Sequence, residues 1–552
     1  MVTVSGSSPS AAAAGDAGTI SRDRQRTASN VSGVRRSRGR QAPRAPVTRR
    51  AYRRGRLDSP NVSQQPSASL SIADVQRRVG AELDRIGSVI DDLGRIFGDA
   101  GEEIHLVGGP VRDAMLGRQH NDLDFTTSAR PEVTERLLKG WAQSTWDIGR
   151  EFGTIGGRRR DASGDWQIEI TTYRSEEYDA DSRKPTVAFG DNLAGDLGRR
   201  DFTVNSMAIS LPGREFEDPF GGIIDLAHQV IRTPQSPELS FSDDPLRMMR
   251  AARFAAQLGF EVAPEVVAAM TAMADRISII SAERVRDELI KLVLAPWPRR
   301  GLALLVETGL AALVLPELPA LQLERDEHHR HKDVYEHTLT VLEQSIDQED
   351  RLGGPDFVSR FAALMHDVGK PKTRRFVDKG KVTFYNHDVV GAKLTRKRMQ
   401  ALRFSKEQTE QVSKLVELHL RFHGYGDGEW TDSAVRRYVR DAGDQLERLH
   451  ILTRADCTTR NQRRAERLRR VYDDLEARIE RLGEEEELAA IRPDLDGNRI
   501  MELLGIGPSP LVGKAYKHLL ELRLDEGPMT EEQAEAALRA WAAEQPELGG
   551  GR

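Results

Sequence analysis

The chain has 552 residues, 38% of them hydrophobic, with 81 Lys and Arg against 86 Asp and Glu, a net charge of −5. That length exceeds what one core supports and implies several domains at roughly 150 residues each. Cys457 is the only cysteine, which excludes an intrachain disulfide and points to a cytoplasmic protein.

Residues 1–70 carry thirteen arginines, no lysine and three aspartates, a net of +10 that leaves −15 for the remainder. With few large apolar side chains, residues 1–72 are expected to be a disordered Arg-rich tail, either solvated or resting on RNA. No apolar segment follows these basic residues as in a secretory signal. The most apolar stretch, GLALLVETGLAALVLPEL, is interrupted by Glu307 and Thr308 before the ~20 residues a membrane helix needs.

From residue 73 the pattern turns globular. IADVQRRVGAELDRIGSVIDDLGRIF spaces its apolar residues by three and four, which predicts an amphipathic helix. IHLVGG, DLDFTT and WQIEITTY then read as strands, mixed with helical segments. Beyond about residue 240 strand signals nearly vanish, and DPLRMMRAARFAAQLGF, SAERVRDELIKLVL and RAERLRRVYDDLEARIERL have helical periodicity; LGGPD and HGYGDGEW read as loops.

Between the first two strands, Gly108 and Gly109 permit a tight turn and Pro110 suits the first turn of a helix, so free N–H groups face a place where a phosphate would rest. In the extended segment NDLDFT, Asp122 and Asp124 project from one face and Leu123 from the other. Paired carboxylates suit Mg²⁺, and Glu169 on another strand offers a third. An isolated D-x-D more often merely caps a strand.

The motifs LVGGPVRDAMLG, NDLDFTT, IEITTYR, RRDFTVNSMAI, DPFGGIIDL, DDPLRMMRAARFAAQLGF and SAERVRDELIKLV occur in that order over residues 104–295. Together they resemble the class II CCA tRNA nucleotidyltransferase and poly(A) polymerase family. The resemblance implies an α+β chain: a polymerase-β-like nucleotidyltransferase head with a small sheet (73–232), then an all-helical neck with a base-recognition motif (233–325), an HD-type body (326–482) and a tail that contacts tRNA (483–552). It implies Mg²⁺ at Asp122 and Asp124 with Glu169 as third acid, and nucleotide binding by Gly108, Gly109, Arg112, Arg200, Asp244, Arg247 and Arg250. Arg199 and Asp201 suit structural ion pairs. Asp244 and Arg247, three apart on one helix face, would read the base edge: the carboxylate accepts from the amino group of C or A, where U and G present a carbonyl. Asp243 stands where the family has Glu. DPFGGIIDL is either a hinge or a tight turn.

In the helical half, HHRHKDVYEHTL, FAALMHDVGKPKTRR, FYNHDVVGAKL, LHLRFHG and RADCTTRN place His337, His366, Asp367 and Asp456 as in the HD-domain metal-dependent phosphohydrolases. His387 and His419 stand where two-metal members supply further ligands, and imidazole with carboxylate suits a divalent metal of a kind the sequence leaves open. Gly369 is expected to end the ligand-bearing helix, and Lys370 to meet a phosphate. In GIGPSPLVGKAY, Lys514 beside a helix start offers a contact to RNA phosphate.

The resemblance thus implies addition of CCA to the tRNA 3′ end from CTP and ATP, with hydrolysis of phosphoester ends at the HD site. GREFGTIGG is closer to the CCA-adding pattern. Two alternatives stand beside it: a poly(A) polymerase or A-adding enzyme, and an HD phosphohydrolase whose inactive head binds RNA.

Overall fold

The computed structural model describes residues 72–545 and 548, apart from 148, 163, 178–185, 191, 323–332, 378–380, 426–429, 460 and 487–491. The expected Arg-rich tail lies outside the described residues, save Ile72. The first amphipathic stretch forms two helices rather than one, α1 (Ile72–Arg85) and α2 (Gly87–Asp99). They part at Ile86, whose φ of −91° and ψ of 7° leave the helical region, and Gly87 beside it weakens helix propensity where the axis turns.

A mixed sheet follows. Its strands are β1 (Ile104–Val107), β2 (Asp122–Thr127), β3 (Ser144–Trp146), β4 (Thr154–Asp161) and β5 (Gly164–Thr172), joined later by β8 (Ala208–Leu211) and β9 (Phe216–Glu217). A separate hairpin, β6 (Arg174–Glu177) with β7 (Thr186–Phe189), lies between them in the chain. The sheet order is β3-β4-β5-β2-β1-β8-β9, antiparallel throughout except that β2 runs parallel to β5. All four residues of β1 are buried. The intervening helices are α3 (Gly109–Leu116), α4 (Pro131–Lys139), α5 (Leu193–Gly198) and α6 (Gly222–His228).

After α6 come α7 (Pro237–Asp243), α8 (Leu246–Leu258), α9 (Pro264–Ala272), α10 (Ala282–Val293), α11 (Pro298–Glu307) and α12 (Leu310–Val314). The region beyond residue 325 is built of α13 (Val334–Ile346), α14 (Phe357–Met365), α15 (Lys370–Thr373), α16 (His387–Ala401), α17 (Lys406–Leu418), α18 (Asp432–Ala442), α19 (Leu446–Ala455) and α20 (Gln462–Glu486). Two short strand pairs interrupt these helices: β10 (Val230–Ile231) with β11 (Glu261–Val262), and β12 (Arg375–Val377) with β13 (Lys381–Thr383). These pairs are two or three residues long, too short for an alternating pattern to register in sequence.

One hydrophobic core runs from Val75 to Leu482, so sheet, neck and HD helices share a continuous interior. Arg360 on α14 seals part of it: its guanidinium binds Glu349 at 2.6 Å and donates to the carbonyls of Val293 and Ala295, at the end of α10. A second core, Leu495, Ile500, Ala515, Leu519, Ala534 and Leu538, joins α21 (Gly497–Leu504), α22 (Pro510–Glu526) and α23 (Glu531–Ala543).

Two local expectations need correction, and one open alternative is resolved. Asp244 and Arg247 do not share a helix face: Asp244 is extended (φ −140°, ψ 100°) beyond the end of α7, Pro245 caps α8, and only Arg247 is helical. The residue before a proline is pushed out of the α-region, which breaks the helix there. Gly369 does not end a helix in the left-handed region; its φ is −78°, and a Cβ there would lie 2.0 Å from the His387 carbonyl oxygen. It is glycine because α16 starts against it. In DPFGGIIDL the turn is tight and anchored, with the Asp218 carboxylate accepting from the N–H groups of Gly222 and Ile223 at 2.7 and 2.9 Å.

Candidate functional site

In the head, β2 and β5 align so that Asp124 is the register partner of Glu169, and Asp122 of Gln167. Parallel neighbours in register present their side chains on one face, so Asp122, Asp124 and Glu169 converge while Leu123, Ile168 and Ile170 enter the core. Protein crowding around Asp124, with the Glu169 and Asp122 carboxylates beside it, pushes its carboxyl up to about 6 against the pull of Arg200. Carboxylates that share one sheet face and raise the proton affinity of Asp124 suit a divalent ion.

Gly108 stands at the edge of this cluster. Its φ of +75° belongs to glycine, and a Cβ would lie 3.0 Å from Arg200 Nη1 and 4.0 Å from Asp124 Oδ2. The turn thus brings backbone, guanidinium and carboxylate close together. Arg200 also binds Asp196 at 3.3 Å, and Arg199 binds the same buried carboxylate at 2.8 Å. The surrounding cavity, about 550 Å³, is lined by eight arginines and Lys291 against Asp124, Glu169, Asp201 and Asp244. Such an excess of positive charge suits a triphosphate.

The remaining residues expected at a nucleotide site line that cavity but are held by protein groups. Arg112 donates to Asp113 at 3.0 and 2.8 Å and to Asn205 at 2.5 Å. Arg250 donates to Asp201 at 2.8 Å; although burial opposes it, this guanidinium keeps the Asp201 carboxyl well below the usual carboxylate range. Arg247 donates to Ser240 Oγ at 2.9 Å, its carbonyl at 3.3 Å, and the Arg199 carbonyl at 2.5 Å. Asp244 pairs with Arg284 at 2.8 Å rather than with Arg247. Sequence reasoning missed Arg174, Arg253, Arg284 and Lys291. One signal was available: Arg247, Arg250 and Arg253 repeat every third position on a helix whose other residues, save Gln257, are apolar. Arg284 and Lys291, on α10, reach the cavity only through the packing of α10 on α8.

The second centre lies among the HD helices. Asp367 follows α14, and Asp456 caps the end of α19. His337 Nε2 is 2.9 Å from Asp456 and 3.6 Å from Asp367; His366 Nε2 is 3.2 Å from Asp367; His387 and His419 Nε2 approach the other Asp367 oxygen at 3.3 and 4.0 Å. Each ring is fixed through its far nitrogen: Nδ1 of His366, His387 and His419 meets the carbonyls of Ala363, Phe384 and Val416 at 2.8, 2.8 and 2.7 Å, and His337 Nδ1 meets Thr458 Oγ1 at 3.0 Å. A ring whose Nδ1–H is given to a carbonyl aims its Nε2 lone pair inward, the arrangement metal-binding histidines use. The buried Nε2 atoms of His366 and His387 have no hydrogen-bond partner. Lone pairs facing carboxylate oxygens need a cation between them, so these residues also fit a divalent metal. Lys370 departs from expectation: its ammonium is bound to Asp367 at 2.6 Å. Beside His337 and Thr458 opens a cavity of about 1050 Å³, partly lined by Arg454, Arg469 and Tyr472.

Comparison with known proteins places these two centres in a family. Residues 104–232 match the Poly A polymerase head domain, 259–321 the "probable RNA and SrmB- binding site of polymerase A", and 334–461 the HD domain. An A-adding tRNA nucleotidyltransferase of Deinococcus radiodurans is 33% identical over 447 residues, 80% of this chain and 96% of that protein. The chain belongs to the tRNA nucleotidyltransferase and poly(A) polymerase family. A CCA-adding enzyme of Levilactobacillus brevis is 43% identical over 212 residues, 38% of this chain and 51% of its own length. The chain thus aligns with about half of such CCA-adding relatives. Among solved structures, the CCA-adding enzyme of Bacillus stearothermophilus in complex with CTP superposes with a TM-score of 0.58 at 24% identity, covering 84% of this chain and 98% of that one. That of Thermotoga maritima, complexed with tRNA, gives 0.54 at 19%, covering 85% and 98%. These likenesses show the fold: a nucleotidyltransferase head on helical domains, one of them an HD domain. Among the described residues of this nucleotidyltransferase no helix is long and apolar enough to cross a membrane.

Proposed function

We propose that the protein adds CCA to the 3′ end of tRNA from CTP and ATP, without a template, and that its HD site hydrolyses phosphoester ends. The observation that carries the first activity is the register of Asp124 with Glu169 beside a cavity whose lining is dominated by arginines. Mg²⁺ held by Asp122, Asp124 and Glu169 would supply Lewis acidity toward the attacking hydroxyl and the leaving phosphate. Arg200 and the turn at Gly108 and Gly109 hold the triphosphate. The RNA 3′ oxygen bonds to the α-phosphorus, the α–β phosphoanhydride bond breaks, the hydroxyl proton passes to a carboxylate of the cluster, and pyrophosphate leaves.

Base choice rests on Asp244 and Arg247. The Asp244 carboxylate accepts from the amino group of cytosine or adenine when it exchanges Arg284 for the base. Arg247 has five N–H donors, of which its contacts to Ser240 and Arg199 engage three, leaving two for ring acceptors. Arg112 and Arg250 act by fixing the cavity wall. At the second centre, His337, His366, Asp367, His387 and Asp456 would hold a divalent metal that activates water toward a phosphorus.

The deciding experiment offers purified protein tRNAs ending at the discriminator base, at C and at CC, each with one labelled nucleotide. CMP should enter the first two and AMP the third. AMP added solely to CC ends would replace this reading with the A-adding one borne by the Deinococcus relative.

A further inference from the structure

The segment between Lys370 and Lys397 stands out in charge and in exposed surface. It holds nine Lys and Arg against Asp378 and Asp388, in a chain whose net charge is −5. Of the eleven large hydrophobic residues exposed among the described ones, four are here: Phe376 at 69%, Val377, Tyr385 at 74% and Val389. Hydrophobics this open on a monomer, interleaved with cations, mark a binding surface rather than a core.

The cations divide by use. Lys370 is bound to Asp367. Arg374 lies over the Phe376 ring with its Cζ 4.9 Å from the centroid, and its buried Nε has no partner. Lys372 and Arg375 are exposed beside it, and Lys393, Arg396 and Lys397 are exposed along α16, where Val389, Lys393, Arg396 and Lys397 recur at helical spacing on one face. Two contacts tie this surface to the HD centre. The Lys370 ammonium sits 5.8 Å from the Phe384 ring, and the Phe384 carbonyl fixes His387 Nδ1 at 2.8 Å.

We infer that β12, Tyr385 and the exposed face of α16 form a platform for single-stranded RNA, which brings the strand's terminal phosphate to the HD centre. Bases stack on the Phe376 and Tyr385 rings, while Arg375, Lys393, Arg396 and Lys397 neutralise successive backbone phosphates; rings alternating with cations are the chemistry that grips unpaired nucleic acid without reading its sequence. Delivery to the metal cluster rests on the reading of that cluster as a phosphohydrolase; binding of the strand does not.

The test uses the full chain and a fluorescein-labelled twelve-nucleotide RNA of unstructured sequence, followed by anisotropy, with heparin and vesicles of anionic phospholipid as polyanion controls. Phe376→Ala with Tyr385→Ala should weaken RNA binding about tenfold or more and leave heparin binding unchanged. Arg396→Glu with Lys397→Glu should weaken both and flatten the slope of log affinity against log salt by about one or more. Nucleotide addition to tRNA, retained in each variant, reports that the fold is intact. In a second arm, release of phosphate from a 3′-phosphorylated RNA should fall in the variants while p-nitrophenyl phosphate is hydrolysed as before. RNA affinity unchanged in both double variants, or wild-type protein that binds vesicles but not RNA, overturns the platform. If binding falls as described but wild-type protein hydrolyses neither substrate, the phosphohydrolase reading fails and the platform stands.

Discussion

Asp124 and Asp367 are the central carboxylates of the two proposed metal sites, yet their surroundings push them in opposite directions. Asp124 stands on a strand beside two further acids, and crowding raises its carboxyl to about 6. Asp367 is 1% exposed among four histidines and Lys370; burial alone would raise it, but His366 and Lys370 hold it well below the usual range. The head site is a cluster of like charges that a cation completes, open to a cavity where substrate enters. The HD site sits inside the shared core, with Lys370 already paired to its carboxylate. A site that must exchange triphosphates is kept short of positive charge at the acids and rich in it around them; the proposed hydrolytic centre is instead reached beside His337 and Thr458, where the cavity of about 1050 Å³ opens.

Breaking the head site should give the largest effect. Asp124→Asn removes a carboxylate that stabilises several kcal/mol of developing charge, so incorporation of labelled CMP should fall by about 10³-fold or more while the melting temperature holds or rises. Asp367→Asn should reverse that pattern: phosphate release is lost, addition persists, and chemical denaturation of the metal-free protein shows a loss of about 3 kcal/mol, because His366 and Lys370 lose their buried counter-charge. Addition lost in the same proportion would mean that the two centres are not independent. Gly369→Ala should come next, since its Cβ would displace the start of α16 and with it His387; we expect weaker binding of Mn²⁺ in calorimetry and a cost of about 1–3 kcal/mol.

Asp244→Asn should loosen the preference for CTP and ATP over UTP by about tenfold, measured as a ratio of kcat/KM, with little change in stability. The smallest effect is one of pH. Because the Asp124 carboxyl is raised in the folded state, it favours folding most below pH 4, and that contribution is lost as pH climbs through about 6. Mg²⁺ competes with the same proton. Its stabilisation of the protein against heat should therefore grow between pH 5 and 7, and Asp124→Asn should abolish the growth.

Much of this was legible in the sequence. The alternation in NDLDFT put two acids on one face, the glycines and proline after IHLV placed a turn and a helix start, and the resemblance to HD domains picked out the histidines that the fold gathers at Asp367. Errors arose where a neighbour decided the outcome. Gly369 has the composition of a helix end, but it is small because another helix abuts it. DDPLR has helical spacing, but Pro245 divides it.

Local patterns therefore determined which residue types face which way, because side-chain direction follows from backbone period alone. Only the tertiary structure decided that Asp124 faces Glu169, that Arg284 rather than Arg247 takes Asp244, and that five side chains from separate helices meet at Asp367. Those pairings join residues up to about fifty positions apart, and no local propensity carries information over such a distance; strand register and helix packing do.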